Sequence, residues 1–224
     1  MAKTIVGSFD SFDEAQRVSR ELIDEGFAAA DVSVVASNVT GAFASDDRVK
    51  VTDASNTATG AVAGGVLGGA AGLAASLMGL AIPGIGPIVA AGPLAATLSA
   101  AGAGVIAGGL IGSLTELGVS RPDAEYYAEA VRRGGALVTV RADEDVADRA
   151  VDIMREHNAV DIDKRSAMWR ESGWKGWDMR NAPYTPEEIA RDRALYNVPG
   201  SDPLVDATPA RAGEASRRDA AVRS

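Results

Sequence analysis

Two stretches of the chain repeat one pattern of apolar and polar positions. Thr4 to Phe9 is rich in β-forming residues, and Ser11 with Glu14 then makes a capping-box signature for a helix start. Ala15, Val18, Leu22 and Ile23 share one helical face, Gly26 is placed to end the helix, and Val32 to Ala36 supplies a second strand. Far along the chain the plan returns. Ala136 to Val140 reads as a strand, and Asp143, Glu144 and Asp145 put negative charge at a helix N-terminus. Ala147, Ala150, Val151 and Met154 form the apolar stripe, and Val160 to Asp163 begins another strand. One constant offset aligns Ala15 with Ala147, Val18 with Ala150 and Leu22 with Met154. Residues 1–36 and 135–166 therefore read as two βαβ halves of an α+β, ferredoxin-like split sheet with both helices on one face.

The material between the halves follows neither period. From Ala54 to Thr115 there is no Asp, Glu, Lys, Arg or His, so every charge of the chain lies outside that tract. Residues 58–81 and 88–117 are long enough, as helices, to cross a hydrocarbon core of about 30 Å. Between them Pro83, Gly84, Gly86 and Pro87 predict a turn, which makes residues 58–117 an inserted antiparallel helical hairpin. Gly60, Gly64, Gly68 and Gly72, followed by Ser76, recur every fourth residue. The second run answers with Gly92, Ala96, Ala100, Gly104, Gly108 and Gly112. Facing stripes of small residues let two helix axes approach closely, as in membrane helix pairs, leaving Val62, Val66, Leu73, Leu77 and Leu80 outward. The same hairpin fits the dry interior of a soluble homo-oligomer. Gly and Ala contribute little transfer energy, Pro93 interrupts the second run, and no aromatic residue lies between Phe43 and Tyr126 to form an interfacial belt.

The flanks are polar. Residues 37–57 read as a linker. Residues 120–134 form a connecting helix with Pro122 in its first turn and Ala124, Tyr127, Ala128 and Val131 on one face. Residues 167–198 hold all three tryptophans, Trp169, Trp174 and Trp177, and a short helix opened by Thr185, Pro186 and Glu188. Residues 199–224, rich in Pro, Ala, Asp and Arg without periodicity, read as a disordered tail. The tryptophans suit an interaction patch, or a cover for the sheet face opposite the helices. The cover is the stronger reading, because Val138 and Val140 lie on one side of their strand and Leu137 on the other.

Composition narrows the chemistry. A net charge of −9 gives no basic footprint for nucleic acid. Without cysteine there is no disulfide, thiolate nucleophile or Cys metal site. Met1 to Asp10 lacks the apolar core of a secretory signal, so membrane insertion would use the internal tract. Gly102 to Ala107 fits the G-x-G-x-x-A variant of the dinucleotide fingerprint, yet that motif needs a preceding strand and a ribose-binding acid about 20 residues on, whereas this copy sits mid-helix in a glycine ladder and the next acid is Glu116. His157, the single histidine, sits near a helix end without a nucleophile or metal-ligand partner. Asp10, Asp13 and Glu14, like Asp143 to Asp145, stand where helix N-termini favour negative charge. No catalytic, cofactor or metal set emerges, and a small-molecule ligand is not legible.

The segments FDSFDEAQRVSRELIDEGF, AIPGIGPIVAAGPLAATL, EYYAEAVRRGGALVTVRA and WRESGW together resemble the bacterial general stress protein (seventeen-M-like) family, over roughly residues 3–198. Ala81 to Leu98 and Glu125 to Ala142 are the most specific portions. The resemblance implies stress-linked expression and offers no catalytic residue. The sequence-based expectation is a non-enzymatic stress protein associated with the cytoplasmic membrane through its hairpin, both termini cytoplasmic. The alternatives are a cytoplasmic homo-oligomer, cage or filament, with the hairpins in its core, and a ligand-binding regulatory domain.

Overall fold

The computed structural model describes residues 2–41, 78–100 and 109–196. The chain divides into two units, Met1–Ile189 and Ala190–Ser224, and of the second only the helical residues 190–196 are described. The elements in order are β1 (Ala2–Phe9), α1 (Phe12–Asp24), a 3-10 turn (Ala29–Asp31), β2 (Val32–Ser37), β3 (Met78–Ile82) and β4 (Gly86–Ala91). Then come α2 (Pro93–Ala100), α3 (Gly109–Glu116), α4 (Arg121–Arg132), β5 (Ala136–Asp143), α5 (Glu144–Glu156), α6 (Ile162–Glu171) and α7 (Pro186–Tyr196).

Local chemistry accounts for the helix starts. Ser11 accepts from the Glu14 amide while the Glu14 carboxylate accepts from the Ser11 amide, closing the capping box of α1. Ser120 accepts from the Asp123 amide at the start of α4, where Pro122 sits in the first turn. The repeat is visible in the helices, since α1 and α5 begin and end at the same offset.

The five strands form one antiparallel sheet in the order β1-β5-β2-β4-β3. β5 pairs with β1 from Ala2↔Asp143 to Phe9↔Ala136, and on its other side with β2 from Val32↔Val140 to Ala36↔Ala136. β1, α1 and β2 thus form a unit whose strands flank β5. The order departs from the expected ferredoxin-like sheet, because Val160 to Asp163 is not a strand. α5 ends with Asn158 in the left-handed region at φ 60°, and the Val160 amide makes one bond to the Ser8 carbonyl, at 2.8 Å. Asp161 then accepts from the Lys164 amide and starts α6, so strand pairing stops where helix capping begins. The second half, residues 135–166, is a strand and helix followed by another helix. Among the described residues no strand takes the place of a fourth ferredoxin-like strand, and the β3–β4 hairpin extends the opposite edge.

Both sheet faces are covered. On one, Ala15, Val18 and Leu22 of α1 and Ala150, Ile153 and Met154 of α5 pack on Phe9, Val32, Val34, Val138 and Val140. Ile153 takes the buried position expected of Val151, which is half-buried. Filling such a site with a leucine, as Leu22 does, stabilises by about 1.5–3 kcal/mol. On the other face Leu94, Ala95 and Leu98 of α2, Leu110, Ile111 and Leu114 of α3, and Ala124, Ala128 and Val131 of α4 cover Val35, Ile88, Ala90 and Leu137.

This second layer corrects the reading of the uncharged tract. Pro83 and Gly84 connect two strands, β3 and β4, and Gly86 and Pro87 open the second of them, where a helical hairpin was expected across residues 58–117. The run 88–117 is likewise not one helix: it begins as strand, turns at Gly92 and restarts as α2. No helix among the described residues is long and apolar enough to cross a membrane. Gly60, Gly64, Gly68, Gly72, Gly104 and Gly108 lie outside the described residues, as do most of the linker 37–57 and the tail 199–224.

Two glycines of the second stripe occupy opposite environments. Gly92 has φ +82°, and a Cβ built there would lie 2.3 Å from the Val32 carbonyl oxygen; its neighbour Leu94 donates its amide to Ser33 Oγ at 3.1 Å. The chain crosses β2 at a distance only glycine allows. Gly112, inside α3, meets nothing within 4 Å of a built Cβ among the described residues. Gly92→Ala is therefore expected to cost roughly 3 kcal/mol or more, through contact and backbone strain. Gly112→Ala should raise stability by up to about 1 kcal/mol through helix propensity. Chemical denaturation of the two variants separates them, and equal midpoints would refute the assignment.

Candidate functional site

The densest polar cluster lies at the C-terminal end of α4. Glu129 is fully buried, and its carboxylate is held by two guanidinium groups one turn on. Arg132 Nη2 lies 2.8 Å from both carboxylate oxygens, and Arg133 Nε donates to Oε1 at 2.6 Å. Helical spacing of three and four residues brings all three side chains to one face. Each arginine also lies against aromatic rings. Arg132 sits 5.7 Å from the Trp177 ring centroid and 5.1 Å from that of Tyr184. Arg133 sits 4.8 Å from Trp169 and 5.0 Å from Tyr184. The stack continues through an edge contact of Trp169 with Trp174, a tilted contact of Trp174 with Tyr126, and Arg170 over the Tyr126 ring at 5.0 Å. Desolvated cation–π contacts are each worth up to about 2 kcal/mol, so this ladder ties residues 169–184 to α4. Arg132 Nε and Trp174 Nε1 are buried without a hydrogen-bond partner among the described residues.

From the ladder the chain runs to the β3–β4 turn. Asp178 and Arg180 close a tight local turn, and the Arg180 side chain and amide together pull the Asp178 carboxyl down to about 2. Met179, inside that turn, meets Gly84: a Cβ built on Gly84 would lie 2.8 Å from the Met179 carbonyl oxygen. A Cβ on Gly86 would lie 2.9 Å from Pro183 Cβ. Ile85, at the apex of the hairpin, is only 1% exposed although turn tips ordinarily face water.

The two sheet edges differ in kind. Along β1 Lys3 forms an ion pair with Glu144 at 2.7 Å, and the Val160 amide occupies the Ser8 carbonyl. Along β3, reading MGLAI, there is no charge and no proline, Gly79 and Ala81 are exposed, and β4 is the one pairing partner among the described residues. An uncharged edge of this kind is a template for another strand.

The other sequence-derived candidates fall in structural positions. His157 caps the C-terminus of α5 and contacts the Glu21 carboxylate of α1 through Nε2. Asp10 makes a two-pronged pair with Arg165 at 2.8 and 3.1 Å, joining the end of β1 to α6. Asp13 and Glu14 lie in the first turn of α1, and Glu144 and Asp145 in that of α5. The string Gly102 to Ala107 lies outside the described residues. No group of three or more potential metal ligands occurs among the described residues. Of the tryptophans, Trp169 is buried in α6, Trp174 stacks on it, and Trp177 packs at the rim of the second core. Most of that face is covered by α2, α3 and α4.

No family model, no curated protein and no solved structure matches the chain. The arrangement must speak for itself. Glu129, Arg132, Arg133, Tyr126 and Tyr184 were not singled out from the sequence. The E-x-x-R-R spacing was the available signal, but it reads equally well as a solvated helix face.

Removing Glu129 would take a buried carboxylate away from two buried guanidinium groups. Glu129→Ala is expected to cost about 3–5 kcal/mol, whereas Arg121→Ala, which breaks the exposed pair with Glu125, should cost less than about 1 kcal/mol. Urea denaturation tests the contrast. Tyr127, on α4, donates its hydroxyl to the Val6 carbonyl at 3.3 Å. Burial, reinforced by Asp123 and Asp163, pushes its phenol up to about 12. The favoured state is the neutral one. Stability from this group is thus complete below about pH 10 and is lost as pH rises through about 12. Ultraviolet titration should show a late-ionising tyrosine that is lost in Tyr127→Phe.

Proposed function

We propose that this chain is a non-enzymatic protein that works by association, with a second copy of itself as the partner and the β3 edge as the contact. The observation that carries the reading is an uncharged edge strand on a chain of net charge −9, whose opposite edge is guarded by Lys3 and by the Val160 amide. Two copies repel wherever their acidic surfaces meet, and the uncharged strand offers an approach free of that repulsion. An antiparallel β3 to β3 pairing about a twofold axis would join both sheets into one and satisfy the outer backbone groups of each strand. The resemblance to general stress proteins adds the proposal that the chain is expressed under stress.

Insertion into the cytoplasmic membrane, with both termini cytoplasmic, is the second reading. It is favoured by the chargeless run from Ala54 to Thr115.

Sedimentation equilibrium over a wide concentration range should show a dimer or larger species. Ala81→Lys, which places a charge on the exposed side of β3, should shift it to monomer while changing fold stability by no more than about 0.5 kcal/mol. A wild-type chain that stays monomeric throughout, yet floats with phosphatidylglycerol vesicles, would replace self-association by the membrane reading.

A further inference from the structure

We propose that residues 172–184 are a strap that fixes the β3–β4 hairpin in the sheet and so sets whether the uncharged edge is presented as an ordered strand. The inference rests on the association reading, whose contact it regulates. The strap has no helix or strand of its own and is pinned at two places. Trp177 and Tyr184 lie against Arg132, with Tyr184 also against Arg133. Between them in the chain, Met179 and Pro183 close on Gly84 and Gly86, on either side of the buried apex Ile85. Leu80 and Ile82 of β3 are only half-buried, and β4 is the one strand paired with β3 among the described residues. β4 is anchored in the sheet by its pairing with β2, whereas the outermost strand β3 has β4 alone among the described residues, so order at β3 depends on what holds its turn. Glycines at 84 and 86 are what let the strap close to backbone contact: they take φ +79° and +104°, and any side chain there would strike Met179 or Pro183. With the strap seated, the outer backbone groups of β3 stand in line for a second strand. With the strap lifted, the hairpin frays and the edge is no longer a template. The switch is therefore local opening of a surface segment, coupled to assembly by preorganisation of the paired strand.

The test joins hydrogen exchange to sedimentation in the full chain. A Trp177→Ala, Tyr184→Ala double variant removes the ring contacts of the strap with Arg132. Pro183→Gly removes the side chain that closes on Gly86 and keeps every ring of the ladder. In both, amide exchange in residues 78–91 is expected to rise by about tenfold or more while β1 and β5 keep wild-type protection, and self-association should weaken by about tenfold or more. Unchanged exchange in the hairpin overturns the strap, as does a rise spread equally over β1 and β5, which would make the segment ordinary core. Faster hairpin exchange with undiminished self-association overturns the coupling. A wild-type protein that never self-associates removes the association reading by itself, while the exchange result still decides whether residues 172–184 hold the hairpin.

Discussion

Burial of β5 on both faces is the constraint from which the rest of the architecture follows. Ala136, Leu137, Val138, Thr139 and Val140 are each at most 3% exposed, and the strand pairs along both of its edges. A strand with no face for water needs an apolar layer above and below it. α1 and α5, the two copies of the repeat, supply one. The other must come from elsewhere in the chain, and it comes from the uncharged tract and α4. Lack of charge in α2, and in α3 as far as Thr115, is thereby explained within the fold, since these helices lie over Leu137, Val35 and Ile88.

The same requirement governs the polar contacts that border the second layer. α4 carries Ala124, Ala128 and Val131 on the side facing the sheet and Tyr126, Glu129, Arg132 and Arg133 in the stack beneath residues 169–184. Glu129 can be fully buried because two guanidinium groups neutralise it, and those groups in turn give the aromatic rings a cationic surface on which to lie. Charge pairing and ring stacking are thus one unit, and the strap reaches the hairpin only because that unit fixes where it starts.

Much of the α/β layer was legible in the sequence. The β1, α1, β2, β5 and α5 elements, the capping box at Ser11 and the helix beginning at Ser120 all follow from period and cap residues, because these signals act within a few residues. The fourth strand was misjudged because Val160 to Asp163 carries both an apolar start and a capping aspartate, and the competition was settled by Asp161 at the head of α6. The stack around Glu129 was illegible for a different reason: Trp169, Trp174, Trp177 and Tyr184 lie tens of residues from Arg132 and Arg133, and nothing local announces that they meet.

For the tract from Ala54 to Thr115 the sequence by itself determined that no residue carries a charge, and the glycines and prolines at 83–87 determined that the chain turns there. It did not determine the environment, because lipid, an oligomer core and the inside of a sheet domain all select the same small and apolar residues. Tertiary structure decided it for β3, β4, α2 and α3, by placing a neighbour of matching shape, the second face of β2 and β5, within reach of Leu94, Leu110 and Leu114. Gly92 shows the distinction at one residue. Its place in a fourfold stripe suggested a helix groove, but what requires glycine there is a carbonyl of β2 that only the folded chain brings near. Hydrophobic burial is non-directional, so a sequence fixes which residues leave water, while the partner they leave it for is fixed by the geometry of everything else.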